Sequence, residues 1–374
     1  MDVRIYELGN RNGRLRRIGA SRLVTGSYTM SKYTPGAFAL EMPIDAPFAV
    51  DMTIDRLVLI DRRYWGVITG RGSERGQTGS ISIKGYQLTE WLRRRQIIPD
   101  TAISGDMPIG FDSAKGATET VIKHYVTAHA VEPRNPARKI YGLRVAADNK
   151  RGIQDDAYHA RYVELCETIS EIGRAAGLGM VITGNERTGE FVFDVIGQTD
   201  RTARQKSRKP LILQVERSNV SRVAFAEEYS GSGNVFYCSR SGDQYAWETL
   251  TQTYHMDDAE TTGYARREKS LSISVYEDGN QYEQLRSNAK KEMEGYRPSK
   301  SFDCEISPRL QYGVDYHLGD MATVIDTTIG SAADMEIVSV TMSESGRSTT
   351  WQAEFGTQKM TRFDAIKRQI KAGL

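Results

Sequence analysis

Residues 1–86 divide into five or six short extended runs, each closed by a turn. No other feature of this 374-residue chain constrains its fold as strongly. "VRIYEL" opens the series and "NRNG" at 10–13 breaks it. "LVTGSYTMSKYTPGAFALEMPI" supplies two runs split at Tyr33-Thr34-Pro35-Gly36, and "DRLVLID", "RYWGVITG" and "GSISIKG" follow. In the last of these, Ile81 and Ile83 alternate with Ser80, Ser82 and Lys84, the period of a sheet with one buried face. Short strands joined through glycine-bearing turns predict a small barrel or sandwich.

The chain then changes character. Val121, Tyr125 and Ala128 fall at helical spacing in "ATETVIKHYVTAHAV", with Ser113 upstream as a cap. Leu165, Ile169, Ile172 and Ala176 give a stronger helix, stopped by Gly177 and Gly179. A hairpin follows in "GMVITGNERTGEFVFDVIG", turning near Asn185 to Gly189. The basic stretch "QTDRTARQKSRKP", 198–210, reads as an exposed loop or linker.

Beyond it the strand pattern returns, interrupted once. Tyr282, Leu285, Ala289, Met293 and Tyr296 keep one helix face apolar, with Pro298 just past the end. The last element, "TRFDAIKRQIKAGL", sets Phe363, Ile366 and Ile370 on one face of a basic helix. The expected fold class is therefore α+β and mainly β. Two small β-barrel-like domains, 1–99 and 210–358, flank an α+β domain at 100–209 that ends in the basic linker. A helical insertion near 281–296 and a C-terminal helix at 359–374 complete it.

Composition removes several classes. Fifty Lys and Arg against 48 Asp and Glu leave a net charge of +2, a small excess for a protein built to grip phosphate backbones. No stretch approaches the roughly 20 apolar residues that span a bilayer. "MDVRIYELGN" lacks the basic and apolar regions of a secretory signal, so assembly in a cytoplasm is expected. Cys166, Cys238 and Cys304 are odd in number and far apart, which reads as three reduced, structural thiols.

Catalytic patterns are thin. His124 and His129, five apart on a regular helix, point about 140° away from each other and share no metal from one face. His159, His255 and His317 have no Cys or His at ligand spacing. No G-x-S-x-G elbow occurs, and the adjacent carboxylates Asp155-Asp156, Glu227-Glu228 and Asp257-Asp258 go to opposite faces or to solvent. "GRGSERG" at 70–76 and "GSGN" at 231–234 join strands rather than open a helix, so neither cradles phosphate. The expectation is no enzyme, no cofactor and no metal.

Arg93, Arg94 and Arg95 sit between Leu88, Trp91 and Leu92 on one side and Ile97-Ile98 on the other. Apolar residues on both sides pin the segment to a core, leaving the arginines to pair with carboxylates of another subunit or domain. Tyr33, Pro35, Gly36 and Phe38 shape the first turn, while Trp65, Tyr86, Trp91 and Leu92 belong to the first core. Gly319 and Asp320 in "YHLGD" make a tight turn.

The order of these pieces resembles a known family. "YTPGAFALEMP", "RLVLIDRRYWGVITG", "SISIKGYQLTEWLRRRQIIP" and "GATETVIKHYVTAH" follow one another as in the tail-hub proteins of long-tailed phages. Those proteins are short relatives of tail-associated lysins and share a hub core with the baseplate hubs of contractile tails. "EYSGSGNVFYCS", "TTGYARREKSLSI", "YGVDYHLGDMATVI" and "MEIVSVTMSESGRSTTWQAEFG" continue the match over about residues 3–357.

The resemblance implies a homotrimeric, ring-shaped tail-tip hub that joins the tube to the host-facing tip and closes the channel before genome delivery. It implies as partners the distal tail protein, the tape-measure protein and host-binding or fibre components, while the near-neutral net charge argues against sequence-specific nucleic acid. It implies a place in the virion, after assembly in the host cytoplasm. The chain departs from longer relatives by ending at Leu374 without a lysozyme or peptidase domain. The terminal helix, through Phe363, Ile366 and Ile370, is then either a plug or docking element or a helix packed on its own domain. Three other readings stand beside this one: a tail-associated cell-wall hydrolase, the hub of a phage-tail-like contractile particle, and a nucleic-acid binder acting through the basic segments.

Overall fold

The alternation at Ile81 and Ile83 is that of a strand: both side chains are buried, while Ser82 and Lys84 face solvent. The computed structural model describes residues 1–9, 11–22, 24–75, 79–99, 110–154, 156–254, 261–275, 280–328, 330–346 and 348–356. The first segment holds β1 (Val3–Leu8), β2 (Leu15–Ser21), β3 (Thr25–Ser31), β4 (Ala37–Pro43), β5 (Leu57–Ile60), β6 (Tyr64–Arg75) and β7 (Gly79–Gln87). They hydrogen-bond in the order β3-β4-β7-β6-β5-β1-β2.

The middle segment mixes α1 (Glu90–Arg93), β8 (Gln96–Ile97), β9 (Asp112–Gly116), α2 (Thr118–Val126), β10 (Leu143–Val145), β11 (Asp156–Ala160), β12 (Val163–Glu164) and α3 (Leu165–Ala175). A hairpin of β13 (Gly179–Gly184) and β14 (Phe191–Ile196) follows, and β10 pairs in parallel with β14. Helix α3 buries Leu165, Ile169 and Ile172 as their spacing requires. Its end is fixed by Gly177 at φ +64°, where Leu178 N–H reaches Gly173 O at 2.8 Å and Gly177 N–H reaches Arg174 O at 3.2 Å. Ser113 does not cap α2: it lies within β9, and Ala117 occupies the cap position with no side-chain bond.

The last segment brings β15 (Thr199–Asp200), β16 (Ile212–Leu213), β17 (Val220–Glu228), β18 (Val235–Arg240), β19 (Glu248–Thr251), β20 (Glu268–Ile273), α4 (Gln281–Met293), β21 (Ser299–Ile306), β22 (Asp320–Asp326), β23 (Ser331–Ser345) and β24 (Ser348–Gly356). The basic stretch 198–210 is a largely exposed loop, as its composition requires, and it is anchored at its two ends. Both β15 and β16 pair in parallel with β22, and the Arg201 guanidinium bonds Asp315 O at 2.6 Å and Asp320 Oδ2 at 3.0 Å.

The two β-rich ends of the chain form one sheet. β23 pairs antiparallel with β3, Ser339 opposite Ser31 through Glu344 opposite Gly26, so the path runs β17-β21-β24-β23-β3-β4-β7-β6-β5-β1-β2. The protein is mainly β, with 45% strand and 18% helix. Among the described strands the path remains open at both edges, so no closed barrel forms.

Residues Met1–Ala224 with Asp303–Gln358 make one compact unit, and Phe225–Phe302 a second. The core of the first joins sheet and helices: Tyr6, Leu57, Trp65, Trp91 and Leu92 pack with Val121, Leu165, Ile169, Phe191 and Phe193. The Phe191 ring meets Trp65 and Trp91 edge-on at 5.4 and 5.1 Å, and Trp65 Nε1–H donates to Gly184 O at 3.0 Å. Burying side chains of this size stabilises by about 1.5–3 kcal/mol each. In the second unit, β19-β18-β20 bury Phe236, Cys238, Leu271 and Ile273 beneath Leu285, Ala289 and Met293 of α4. Tyr282, placed on that face by its spacing, is instead 62% exposed, its ring 4.8 Å from that of Trp247.

Candidate functional site

The turn from β3 to β4 is where the distant parts of the first unit converge. Lys32, wholly buried, donates from Nζ to the Glu336 carboxylate of β23 and to Gly177 O at 2.8 Å. Tyr33 Oη–H donates to the other Glu336 oxygen at 2.8 Å, and the Arg174 guanidinium lies 4.6 Å from the Tyr33 ring. Backbone bonds complete the joint, from Lys32 N–H to Val338 O at 3.0 Å and from Met180 N–H to Lys32 O at 2.8 Å. Burial pulls the Lys32 pKa down against the pull of Glu336, and burial beside the same carboxylate pushes the Tyr33 phenol up.

Two glycines serve this joint. A Cβ at Gly179 would fall 2.1 Å from Lys32 Cγ, and one at Gly36 would fall 2.1 Å from Thr29 O. Gln87 Oε1 accepts from Ser31 N–H at 3.0 Å and Gly36 N–H at 2.8 Å. Tyr33, Pro35 and Gly36 lie in the turn and Phe38 in β4, and all four are buried. Lys32 and Glu336 were missed, because no local pattern marks a lysine whose partner is 304 residues away. Gly319, at φ +90°, does form a tight turn, with Asp320 N–H bonded to His317 O at 3.1 Å.

A second constellation corrects the sequence reading. His124 Nε2 and His129 Nε2 lie 2.8 and 2.6 Å from the two oxygens of one carboxylate, Asp112 on β9. The 140° rotation assumed a regular α-helix, but after Val126 the helix widens into a π turn over Thr127–Val131. Glu132 N–H bonds Thr127 O, five residues back, at 2.7 Å. Although burial opposes it, hydrogen bonds from both imidazoles hold the Asp112 pKa far below the ordinary carboxylate range. The bond to Asp112 raises the His124 pKa. Among the described residues no cluster of three or more His, Cys, Asp or Glu is arranged for a metal, and His129 Nδ1 is buried without a partner to orient it as a ligand.

Further buried charges also serve packing. Glu119 pairs with Lys123 at 2.7 Å and with Arg151 at 2.8 Å, and Lys123 continues to Asp194 at 2.9 Å. Burial opposes ionisation of Glu119, but the bonds from Arg151 and Lys123 bring its pKa down to about 2. Cys166, Cys238 and Cys304 are buried and free. Burial pushes the Cys166 and Cys304 thiols up to about 12, which keeps them protonated and poor nucleophiles at neutral pH.

The outer face of the sheet is paved with small side chains. Ser27, Ala39, Ser82, Ser343 and Thr350 line an open groove of about 430 Å³ across β3, β4, β7, β23 and β24. Its charged lining residues are Glu41, Lys84 and Glu344, with no histidine or cysteine among them. Most of that lining surface is apolar, with the hydroxyls of Ser27, Ser82, Ser343 and Thr350 spread along it.

The sequence matches the family model of siphovirus ReqiPepy6 Gp37-like proteins over residues 2–357. The chain belongs to this family. The Gp37-like chain also shares its fold with solved tail proteins. The 43 kDa tail protein of prophage MuSo2 from Shewanella oneidensis is 15% identical with a TM-score of 0.55, covering 95% of this chain and 96% of that one. Prophage tail protein gp18 from Listeria monocytogenes EGD-e is 11% identical with a TM-score of 0.53, covering 100% and 99%. The tail protein from Neisseria meningitidis MC58 is 14% identical with a TM-score of 0.53, covering 97% and 98%. No curated protein matches the sequence.

The arginine triplet of this Gp37-like chain has partners within the chain. Arg93 bonds Glu90 at 2.9 Å and lies 5.2 Å from the Tyr86 ring; Arg94 bonds Asp55 at 2.5 Å; Arg95 Nε–H donates to Arg138 O at 2.8 Å. The three are brought together on the rim of the core, where Trp91 and Leu92 are buried, and Arg94 is the exposed member. Phe363, Ile366 and Ile370 lie outside the described residues, as does His255.

Proposed function

We propose that this phage tail component is the hub of the tail tip, a non-enzymatic homotrimer that connects the tube to the host-facing tip and helps to close the channel before genome delivery. The observation that carries the reading is the β3–β23 ladder, which makes the first and last β segments of one chain a single continuous wall. A ring needs such a wall from each subunit, and unpaired edges where subunits meet; β2 and β17 are the two ends of the strand path. The groove face, paved with serine, threonine and alanine, suits a surface along which other components pass.

In this reading the 1–99 and 210–358 segments act as the two ring-forming parts of each subunit, and 100–209 braces them. Arg94 and its neighbours Arg93 and Arg95 lie at subunit boundaries, and the terminal residues Phe363, Ile366 and Ile370 act between copies. The partners are the distal tail protein, the tape-measure protein and host-binding or fibre components, met during assembly in the host cytoplasm. Native mass spectrometry of the purified chain and of disassembled tails tests the proposal. A trimer supports it, and a chain that remains monomeric in isolation and in tails overturns it.

A further inference from the structure

Three tight turns meet backbone to backbone at the tip of the β1–β2 hairpin. Gly13, at φ +64°, lies so close to the next turn that a Cβ there would fall 2.7 Å from Gly142 N. A Cβ on Gly142, at φ +85°, would fall 3.5 Å from the oxygen of Gly189 in the β13–β14 turn. One on Gly189, at φ +73°, would fall 3.1 Å from Leu15 Cβ, which closes the circuit. Two asparagines fix the outer turns: Asn12 Oδ1 accepts from Arg14 N–H and Asn185 Oδ1 from Arg187 N–H, both at 2.9 Å.

Cations surround this junction. Arg11, Arg14, Lys139 and Arg187 lie within three residues of its glycines and are exposed, and exposed Arg17 follows on β2. The acids beside them are engaged with other arginines: Glu7 with Arg16, Glu186 with Arg4 and Glu190 with Arg144. Among the described residues none of the five cations bonds a carboxylate. The +2 of the whole chain thus conceals a local surplus. No large apolar side chain is exposed in residues 11–17, 139–144 or 185–190; Phe48 is exposed only farther along β2, against Gly19.

Charge and the lack of apolar anchors together select the occupant. A protein partner needs an apolar centre to hold it, and the junction offers none. A phosphate backbone needs only placed cations, and guanidinium groups match phosphate oxygens bidentately. The half-buried Tyr141 ring lies 5.6 Å from Lys139 Nζ, so no open ring is present there to stack an unpaired base. We propose that the junction of the three turns is a sequence-independent site for the phosphate backbone of duplex DNA. Arg11, Arg14, Lys139 and Arg187 contact phosphates, and Arg17 extends the track along β2. The duplex is favoured over a single strand by its denser charge, one phosphate per about 1.7 Å of axis. This contact goes beyond the hub reading and does not depend on trimer formation.

Fluorescence anisotropy of a labelled duplex of about 20 base pairs, titrated with the full chain from about 0.05 M salt upward, tests the site. Saturable binding is expected, with a slope of log affinity against log salt of about −3 to −4. Arg11→Glu, Arg14→Glu and Arg187→Glu together, all on exposed side chains, should weaken it about tenfold or more, or about 1.4 kcal/mol. Arg11→Gln with Arg187→Gln should flatten the slope by about two, a change that a folding defect does not produce. Arg204→Glu, Lys206→Glu and Arg208→Glu, in the exposed stretch 198–210, should leave the affinity within about twofold. No saturable binding, affinity untouched by reversal at the junction, or a loss seen only with the 198–210 set overturns the proposal. A polyglutamate peptide that competes as well as a duplex of equal charge also overturns it, because the junction then serves acidic proteins.

Discussion

Lys32 and Glu336 stand 304 residues apart in sequence and meet as a buried ion pair that also holds Tyr33. The pair fastens the turn after β3 to β23, while the second bond of Lys32, to Gly177 O, fastens both to the end of α3. One lysine thus joins the first, middle and last parts of the larger unit.

Breaking this pair on one side should be costly. Lys32→Met leaves Glu336 buried and short of a cation, and Glu336→Leu leaves Lys32 likewise unpaired; each should cost about 3–5 kcal/mol in urea unfolding. The double substitution should be milder than the sum of the two, since no buried charge remains. An additive double mutant would show that the two residues do not act as a pair.

The Asp112–His124 bond predicts a stability optimum in mild acid. The Asp112 pKa is depressed in the folded state, so its contribution is present above the unfolded carboxylate value near 3.9 and is lost as pH falls through the folded value. The His124 pKa is raised, so its contribution is full below about 6.5 and is lost as pH rises through the folded value. Compared with His124→Gln, the native chain should gain most between about pH 4 and 6.5. The gain should stay below about 1 kcal/mol, because the His124 side chain is nearly half exposed. Equal differences at pH 5 and pH 8.5 in chemical unfolding would contradict this.

Glu119 supplies an acid-sensitive element. Its pKa is held at about 2 by Arg151 and Lys123, so the stability it contributes is present above the unfolded value near 4.3 and falls away as pH drops toward 2. Glu119→Gln should cost about 2–4 kcal/mol at pH 7, since Lys123 and Arg151 lose their shared carboxylate. The same substitution at pH 2.5 should cost much less, and thermal melts at the two pH values measure the difference.

The arginine triplet should divide by partner. Arg95→Ala removes a donor to Arg138 O and should lower the melting temperature, whereas Arg94→Glu, on an exposed side chain beside Asp55, should cost less than about 1 kcal/mol in the monomer. If Arg94 lies at a subunit boundary, the same change lowers the trimer fraction in native mass. An unchanged trimer fraction would remove Arg94 from the boundary.

The parts of the fold legible in the sequence are those set by local period. Ile81 and Ile83 announced a strand, Leu165, Ile169 and Ile172 announced α3, and Gly177 announced its end. What was hidden depends on partners far along the chain. Nothing near Lys32 points to Glu336, and nothing in two β-rich segments says that β3 and β23 will share a ladder. The rotation argument for His124 and His129 failed because one widened turn resets the helical phase. Asp112, twelve residues before His124, was the available clue, but only the fold brings it close.

The central claim is that three copies of this chain form the ring at the tail tip. An electron-microscopy map of tails carrying a tag on this chain tests it most directly. The account predicts tag density at the tip alone, with threefold symmetry. Density repeated along the tube, or tips that assemble complete without the chain, would contradict it.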